Sequence, residues 1–281
     1  MTANELHILE QNAFLDWRRE LARLEDSQHF IITPFERNLE VWRQLWRVVE
    51  ACSLVVQIVD ARNPLLFYCE DLLEYAKELD ANKRMLLVIN KADFLTTEQR
   101  SLWASHFLSA GISFVFFSAK LAGDALGCEL DAADGAVKPA ADDVLSRYQL
   151  LEILKEQSAD GKVGMIGYPN VGKSSTINAL AGVKKVAVAA TPGKTKHFQT
   201  VHLPNKVTLY DCPGLVLPNF AASKGDLVLN GILPIDQLRD WIQPSTLLIT
   251  KIPRNVIEAT YGIELPKPGI DDNPDRLPTY S

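Results

Sequence analysis

Three polar segments, each directly following an apolar run of strand length, restrict the fold of this chain more than any other feature. They are Asn90-Lys91-Ala92-Asp93 after Met85–Ile89, Gly167-Tyr168-Pro169-Asn170-Val171-Gly172-Lys173-Ser174 after Val163–Ile166, and Asp211-Cys212-Pro213-Gly214 after Val207–Tyr210. Ser118-Ala119-Lys120 follows a fourth run, Phe114–Phe117, and further runs lie at Leu54–Val59 and Phe198–Leu203. Segments with helical character near 70–79, 97–109 and 173–181 separate them. Strands that deliver polar loops at their carboxyl ends, with helices between, are expected of an open, doubly wound α/β sheet. The expectation is a mostly parallel, six-stranded sheet.

The segment Gly167-x-x-x-x-Gly172-Lys173-Ser174 sits between a strand and a helix, the context a phosphate-binding loop requires. Its glycines let backbone N–H groups turn toward phosphates, Lys173 reaches the β- and γ-phosphates, and the Ser174 hydroxyl suits magnesium. The helix N-terminus adds partial positive charge. Asn170, Val171, Gly172, Lys173, Ser174 and Ser175 are the candidate phosphate contacts. Asn90-Lys91-Ala92-Asp93 selects the base, because the Asp93 carboxylate can accept two hydrogen bonds from guanine N1 and N2 that adenine cannot donate. A site built to pair such a polar edge rejects the analogue that lacks it. Asn90 contacts the base edge and ties loops together, the Lys91 stem covers the ring, and the Ser118-Ala119-Lys120 backbone meets guanine O6. Asp211 suits the magnesium shell, and the Gly214 N–H can sense the γ-phosphate. Between them, Thr195 of Thr191-Pro192-Gly193-Lys194-Thr195 is preferred over Thr191 as the switch hydroxyl on magnesium. The expected ligands are therefore GTP or GDP with Mg2+.

The order of these segments is inverted. A GTP-binding domain normally meets its phosphates first and its base last, so the domain is read as circularly permuted. That order, the sequence Asp60-Ala61-Arg62-Asn63-Pro64 ahead of it and the Gly167–Ser174 loop together resemble the circularly permuted GTPases of ribosome assembly. Thr33–Leu39, Trp42–Trp46, Val55–Pro64, Asn230–Asp236 and Glu258–Gly262 resemble the members that act on the large subunit. The resemblance runs from about residue 5 to the end. It implies a GTP-hydrolysing switch in late cytoplasmic maturation of the 60S subunit, with the pre-60S particle and the nuclear export adaptor as partners. It also implies that Asn170 could hold a potassium ion against the phosphates in place of an arginine finger. Family members are longer at both ends, which makes the chain an expected catalytic core without ribosome-docking extensions.

In familiar small GTPases a glutamine after the Asp-x-x-Gly glycine orients the attacking water. Leu215 occupies that place and can neither donate nor accept a hydrogen bond, so slow intrinsic hydrolysis is expected. Lys173, Thr195, Gly214 and Asn170 are the candidate catalytic groups, and His197 is a weaker candidate for positioning water. A GTP-gated binding module, in which hydrolysis is incidental, stays open as the alternative.

Composition limits the rest. Net charge is -6, with 29 Lys and Arg against 35 Asp and Glu, which argues against indiscriminate nucleic-acid binding. From Gly161 to Tyr210 there is nevertheless no acidic residue. Lys184, Lys185, Lys194 and Lys196 there exceed the needs of one nucleotide and are candidates for RNA phosphates or for a solvated basic face. Four cysteines stand singly, so no zinc or disulfide pattern is read. No run has the ~18 apolar residues of a membrane span, so a soluble intracellular protein is expected; the resemblance implies a cytoplasmic one, and a monomer is expected when it is alone.

The expected organisation is an N-terminal helical extension at 1–52, the permuted domain at 53–215 with an acidic flexible loop at 121–143, and a helical appendix and tail at 216–281. Apolar spacing predicts a helix over 3–25, and Thr33-Pro34-Phe35-Glu36 reads as the cap of a second helix ending near Cys52. Amphipathic pieces are read around 223–232, 234–241 and 253–261.

Overall fold

The computed structural model describes residues 2–28, 32–125, 139–186, 198–203, 206–219, 222–235, 238–239 and 241–264. Thr195, its alternative Thr191, the water-positioning candidate His197, most of the expected acidic loop and the tail from Leu265 lie outside these described residues.

Seven strands form one sheet: β1 (Leu54–Asp60), β2 (Arg84–Asn90), β3 (Phe114–Phe117), β4 (Val144–Leu145), β5 (Lys162–Gly167), β6 (Gln199–His202) and β7 (Thr208–Asp211). Their order across the sheet is β4-β3-β2-β1-β5-β7-β6. Every pairing is parallel except β6 with β7. The doubly wound α/β reading holds, with one strand more than the six expected. The extra strand, β4, is a two-residue edge pairing, too short to leave an apolar run in the sequence. All seven residues of β1 are buried, as a central parallel strand covered on both faces requires.

The topology contains the permutation. The phosphate-loop strand β5 lies inside the sheet, between β7 on one side and the middle strand β1 on the other. The base-reading strand β2 lies beyond β1 yet comes earlier in the chain. In consequence β1, which enters the sheet first, is the spatial link between base and phosphate motifs.

The connecting helices carry strong start signals. Helix α5 (Thr97–Ser109) and α7 (Arg147–Gln157) each open with a reciprocal capping box, Thr96 with Gln99 and Ser146 with Gln149. Helix α8 (Lys173–Ala181) starts directly from the phosphate loop. Short helices α3 (Pro64–Phe67), α4 (Asp71–Leu79) and α6 (Ala119–Asp124) complete this part of the chain. Residues 121–124 are thus helical where the sequence suggested loop, because the Ser118 side chain accepts the Leu121 N–H and caps α6.

Ahead of the sheet lie α1 (Ala3–Gln28) and α2 (Leu39–Ala51). The proposed cap at Thr33 is incorrect: α2 begins at Asn38, whose Oδ1 accepts the Glu40 N–H at 3.0 Å. Glu36 instead accepts the Asn38 N–H, while Thr33 exchanges both its N–H and its hydroxyl with the Asn219 backbone. With those groups committed, the segment before Asn38 stays non-helical. Phe14 of α1 packs with Trp42, Leu45, Val48 and Val49 of α2 over Val55 and Ile166 of the sheet.

The chain divides into two compact units, Met1–Glu20 with Phe35–Pro218, and Leu21–Pro34 with Asn219–Ser281. In the second, α9 (Lys224–Leu229) opens with a capping box between Ser223 and Asp226. Helices α10 (Ile242–Lys251) and α11 (Arg254–Tyr261) follow. Helix α10 falls between the amphipathic pieces expected at 234–241 and 253–261, and its Pro244 lies in the first turn, which tolerates proline. No described helix is long and apolar enough to cross a membrane.

Candidate functional site

The site lies within the first unit, at the carboxyl ends of β1, β2, β3, β5 and β7. The phosphate loop depends on glycine. Gly172 has φ +98°, and a Cβ there would come 2.2 Å from Asn90 Nδ2. At Gly167 a Cβ would meet the Ile58 carbonyl at 2.4 Å. Asn170, without that freedom, still adopts φ 62°, an arrangement that asparagine accepts more readily than most residues.

Asn90 is buried and joins two loops. Its Nδ2 donates to the Val171 carbonyl at 2.8 Å, and its Oδ1 accepts the Ala119 N–H at 3.1 Å. Lys91, itself left-handed at φ 65°, donates from Nζ to the Asn170 carbonyl at 2.8 Å and to Asp60 Oδ2 at 2.7 Å. The Ser118 hydroxyl donates to Asp93 Oδ1 at 2.6 Å, which orders the carboxylate expected to read the base. Asn90, Lys91, Asp93, Ser118 and Ala119 are thereby gathered with Asn170, Val171 and Gly172 into one network, with Lys120 exposed at its edge. Ala119 and Ser175 also line a shallow cleft with Asn178, Val183 and Lys184. One of the lysines offered to RNA thus stands beside the nucleotide site. Asn178 pins the turn that carries it, accepting the N–H groups of Lys185 and Val186.

A second group holds the charges. Lys173 is buried and donates from Nζ to the Gly167 and Tyr168 carbonyls at 2.9 and 2.8 Å. Burial lowers its pKa to about 8, opposed by the charge of Asp211. Asp211 is 1% exposed, and neither carboxylate oxygen has a hydrogen-bond partner among the described residues. Burial raises its pKa to about 6, with Lys173 pulling the other way. A buried carboxylate with both oxygens unpartnered is costly unless a cation joins it. Gly214 comes so close to the phosphate loop that a Cβ would lie 3.2 Å from Lys173 Nζ and 3.1 Å from Pro169 Cα. Ser174 and Ser175 are half-buried in the first turn of α8.

Leu215 is buried, 2% exposed, in the cluster with Trp42, Leu45 and Cys212. The leucine in the usual glutamine place is therefore an anchor in the core under α2.

Asp60 is the residue that sequence reasoning passed over. Its local string, Asp60–Pro64, assigns it no role by itself. It is buried, and it accepts bonds from the Arg62 N–H, Nε and guanidinium NH2 as well as from Lys91. Burial alone would raise its pKa, but the bonds from Arg62 and Lys91 outweigh that and hold it below the ordinary aspartate value. The available signal was a carboxylate closing a run that is apolar except for Gln57. Parallel register pairs Asp60 with Asn90, which no local pattern shows.

The sheet order and this constellation define a circularly permuted P-loop domain of the guanine-nucleotide class. Residues 162–246 match the family described as 50S ribosome-binding GTPase. Large subunit GTPase 1 of Schizosaccharomyces pombe is 49% identical over 300 residues, covering 99% of this chain and 49% of that protein. Its Saccharomyces cerevisiae counterpart is 50% identical over 296 residues, covering 94% of this chain and 46% of that protein. A GDP-bound structure of TM YlqF aligns with TM-score 0.50 at 21% identity, over 83% of this chain and 88% of that one, a likeness of fold alone. The chain belongs to the circularly permuted GTPases, in the family of Large subunit GTPase 1. It spans about half the length of the curated relatives it matches.

Proposed function

We propose that this chain binds and hydrolyses GTP as a switch in late cytoplasmic maturation of the 60S ribosomal subunit, coupled to release of the nuclear export adaptor. The observation that carries the nucleotide part is the Asn90 side chain, which ties the base-reading loop to the phosphate loop on one side and to Ala119 on the other. The names of the relatives support the ribosomal part. Pre-60S dependence, cytoplasmic action and adaptor release extend the resemblance.

Asp93, with one oxygen ordered by Ser118, would accept from guanine, and the Lys91 stem would lie along the base. Lys173 would exchange its two loop carbonyls for phosphate oxygens, a change favoured because neither carbonyl carries a full charge. Magnesium fits the site on the evidence of Asp211, whose two oxygens need a cation; Asp211, Ser174 and Thr195 would hold it. When bound, the ion neutralises charge developing on the phosphates. Asn170 is retained as the candidate potassium ligand. Gly214, packed against Lys173, would report the γ-phosphate.

The burial of Leu215 favours keeping the second reading, a GTP-gated binding module. A side chain committed to the core does not orient water, so hydrolysis by the isolated chain is expected to be slow. Single-turnover GTP cleavage, measured alone, with potassium against sodium, and with pre-60S particles, tests both readings. Acceleration by the particles supports the hydrolase. Cleavage that stays absent under every condition, with GTP still bound, supports the module.

A further inference from the structure

We infer that Asp60 is a positioning residue for guanine-nucleotide recognition: it sets Lys91 across the base site and, through Lys91, holds the phosphate loop at Asn170. The inference rests on the nucleotide reading above and adds a residue to that site.

Lys91 has two bonds from one ammonium group, to Asp60 Oδ2 and to the Asn170 carbonyl. The ammonium therefore bridges the end of β1 and the phosphate loop, and the four-carbon stem runs to that bridge from the residue just past β2. A lysine ammonium is a compact, rotatable point charge, so a single carbonyl would leave the stem free to swing. The carboxylate supplies the second fixed end. Asp60 can do this because it is itself immobile: it ends a fully buried strand and is clamped by the backbone N–H and guanidinium of Arg62 at 3.0, 2.9 and 2.6 Å. The guanidinium also lies over the Phe94 ring at 5.7 Å, one residue past Asp93. Asp60 thus meets the base-reading segment directly at Lys91 and, through Arg62, is linked to the residue that follows it.

Two left-handed residues, Lys91 and Asn170, meet at this point. Such a conformation is unfavourable for non-glycine residues and persists when the surroundings determine it. The Asp60–Lys91–Asn170 chain is what joins them. In a permuted domain the two loops are distant in sequence, and the join has to be made by side chains.

A purely structural role for Asp60, holding the turn at 60–63, is the competing explanation. A double-mutant cycle on GDP affinity separates them, with a fluorescent GDP analogue as probe and thermal unfolding of the nucleotide-free proteins as control. The Asp60→Asn and Lys91→Met variants should each lose about tenfold or more in affinity. The double variant should be within about twofold of Lys91→Met alone, because Asp60 acts through Lys91. Losses that multiply, or an Asp60→Asn variant within about twofold of the parent, would overturn the inference. Should Asp60→Asn not fold, Asp60→Ser serves under the same criterion, since its hydroxyl still accepts the Arg62 N–H in the turn. A parent chain that does not bind GDP defeats the nucleotide reading instead.

Discussion

Replacing Asp211 by asparagine should make the nucleotide-free protein more stable. Burial raises the folded pKa of this carboxyl to about 6, against roughly 3.9 in an unfolded chain. Between those values the folded state binds more protons than the unfolded state, so stability falls as pH rises through that window. Above it the full cost is present, about 3 kcal/mol for a shift of about two units. Lys173 offsets part of any gain, because it would lose its countercharge while staying buried. The expected net gain for Asp211→Asn at pH 7.5 is about 1–2 kcal/mol, shrinking toward zero as pH is lowered through 4.5. Urea unfolding of parent and variant at both pH values measures it. Magnesium and GDP should reverse the order by stabilising the parent alone. A variant less stable than the parent at pH 7.5 without ligand, or a pH-independent difference, would refute the reasoning.

Gly172→Ala should abolish nucleotide binding, since its Cβ would displace the Asn90 amide from a 2.2 Å approach; calorimetric titration with GDP checks this. Leu215→Ala should cost about 2–5 kcal/mol in unfolding free energy, as for other buried leucines. Leu215→Gln should also lose stability and gain no single-turnover hydrolysis, because the side chain enters the α2 core; faster cleavage would show it facing the phosphates. Asp93→Asn should shift preference from guanine toward xanthine nucleotides, read by competition between GDP and XDP.

The phosphate loop, the base-reading motif and the permutation were legible because each is a local string at a strand end, and the strands are apolar runs. The strand reading at Phe114–Phe117 coincides with β3, where a short run of aromatic and β-branched residues leaves no competing helix. Elements whose signal is a cap were less legible. Helix α7 begins at Ser146 with Gln149, a capping box that stands next to a Gly- and Ala-rich stretch and was overlooked beside it. Thr33-Pro34-x-Glu36 looked like a helix start, yet long-range pairing with Asn219 claimed Thr33. Leu215 was legible as a missing glutamine but not as a core residue, since its burial depends on α2, distant in sequence. Asp60 was illegible as a site residue for the same reason: its partner Lys91 is brought to it by parallel strand register.

The most direct test of the account is a competition titration in which GDP and ADP displace a bound fluorescent guanine nucleotide from the 281-residue chain in the presence of magnesium. The site described here predicts displacement by GDP and none by ADP at the same concentration, because only guanine satisfies the Asp93 carboxylate ordered by Ser118. Equal displacement by the two nucleotides would contradict it.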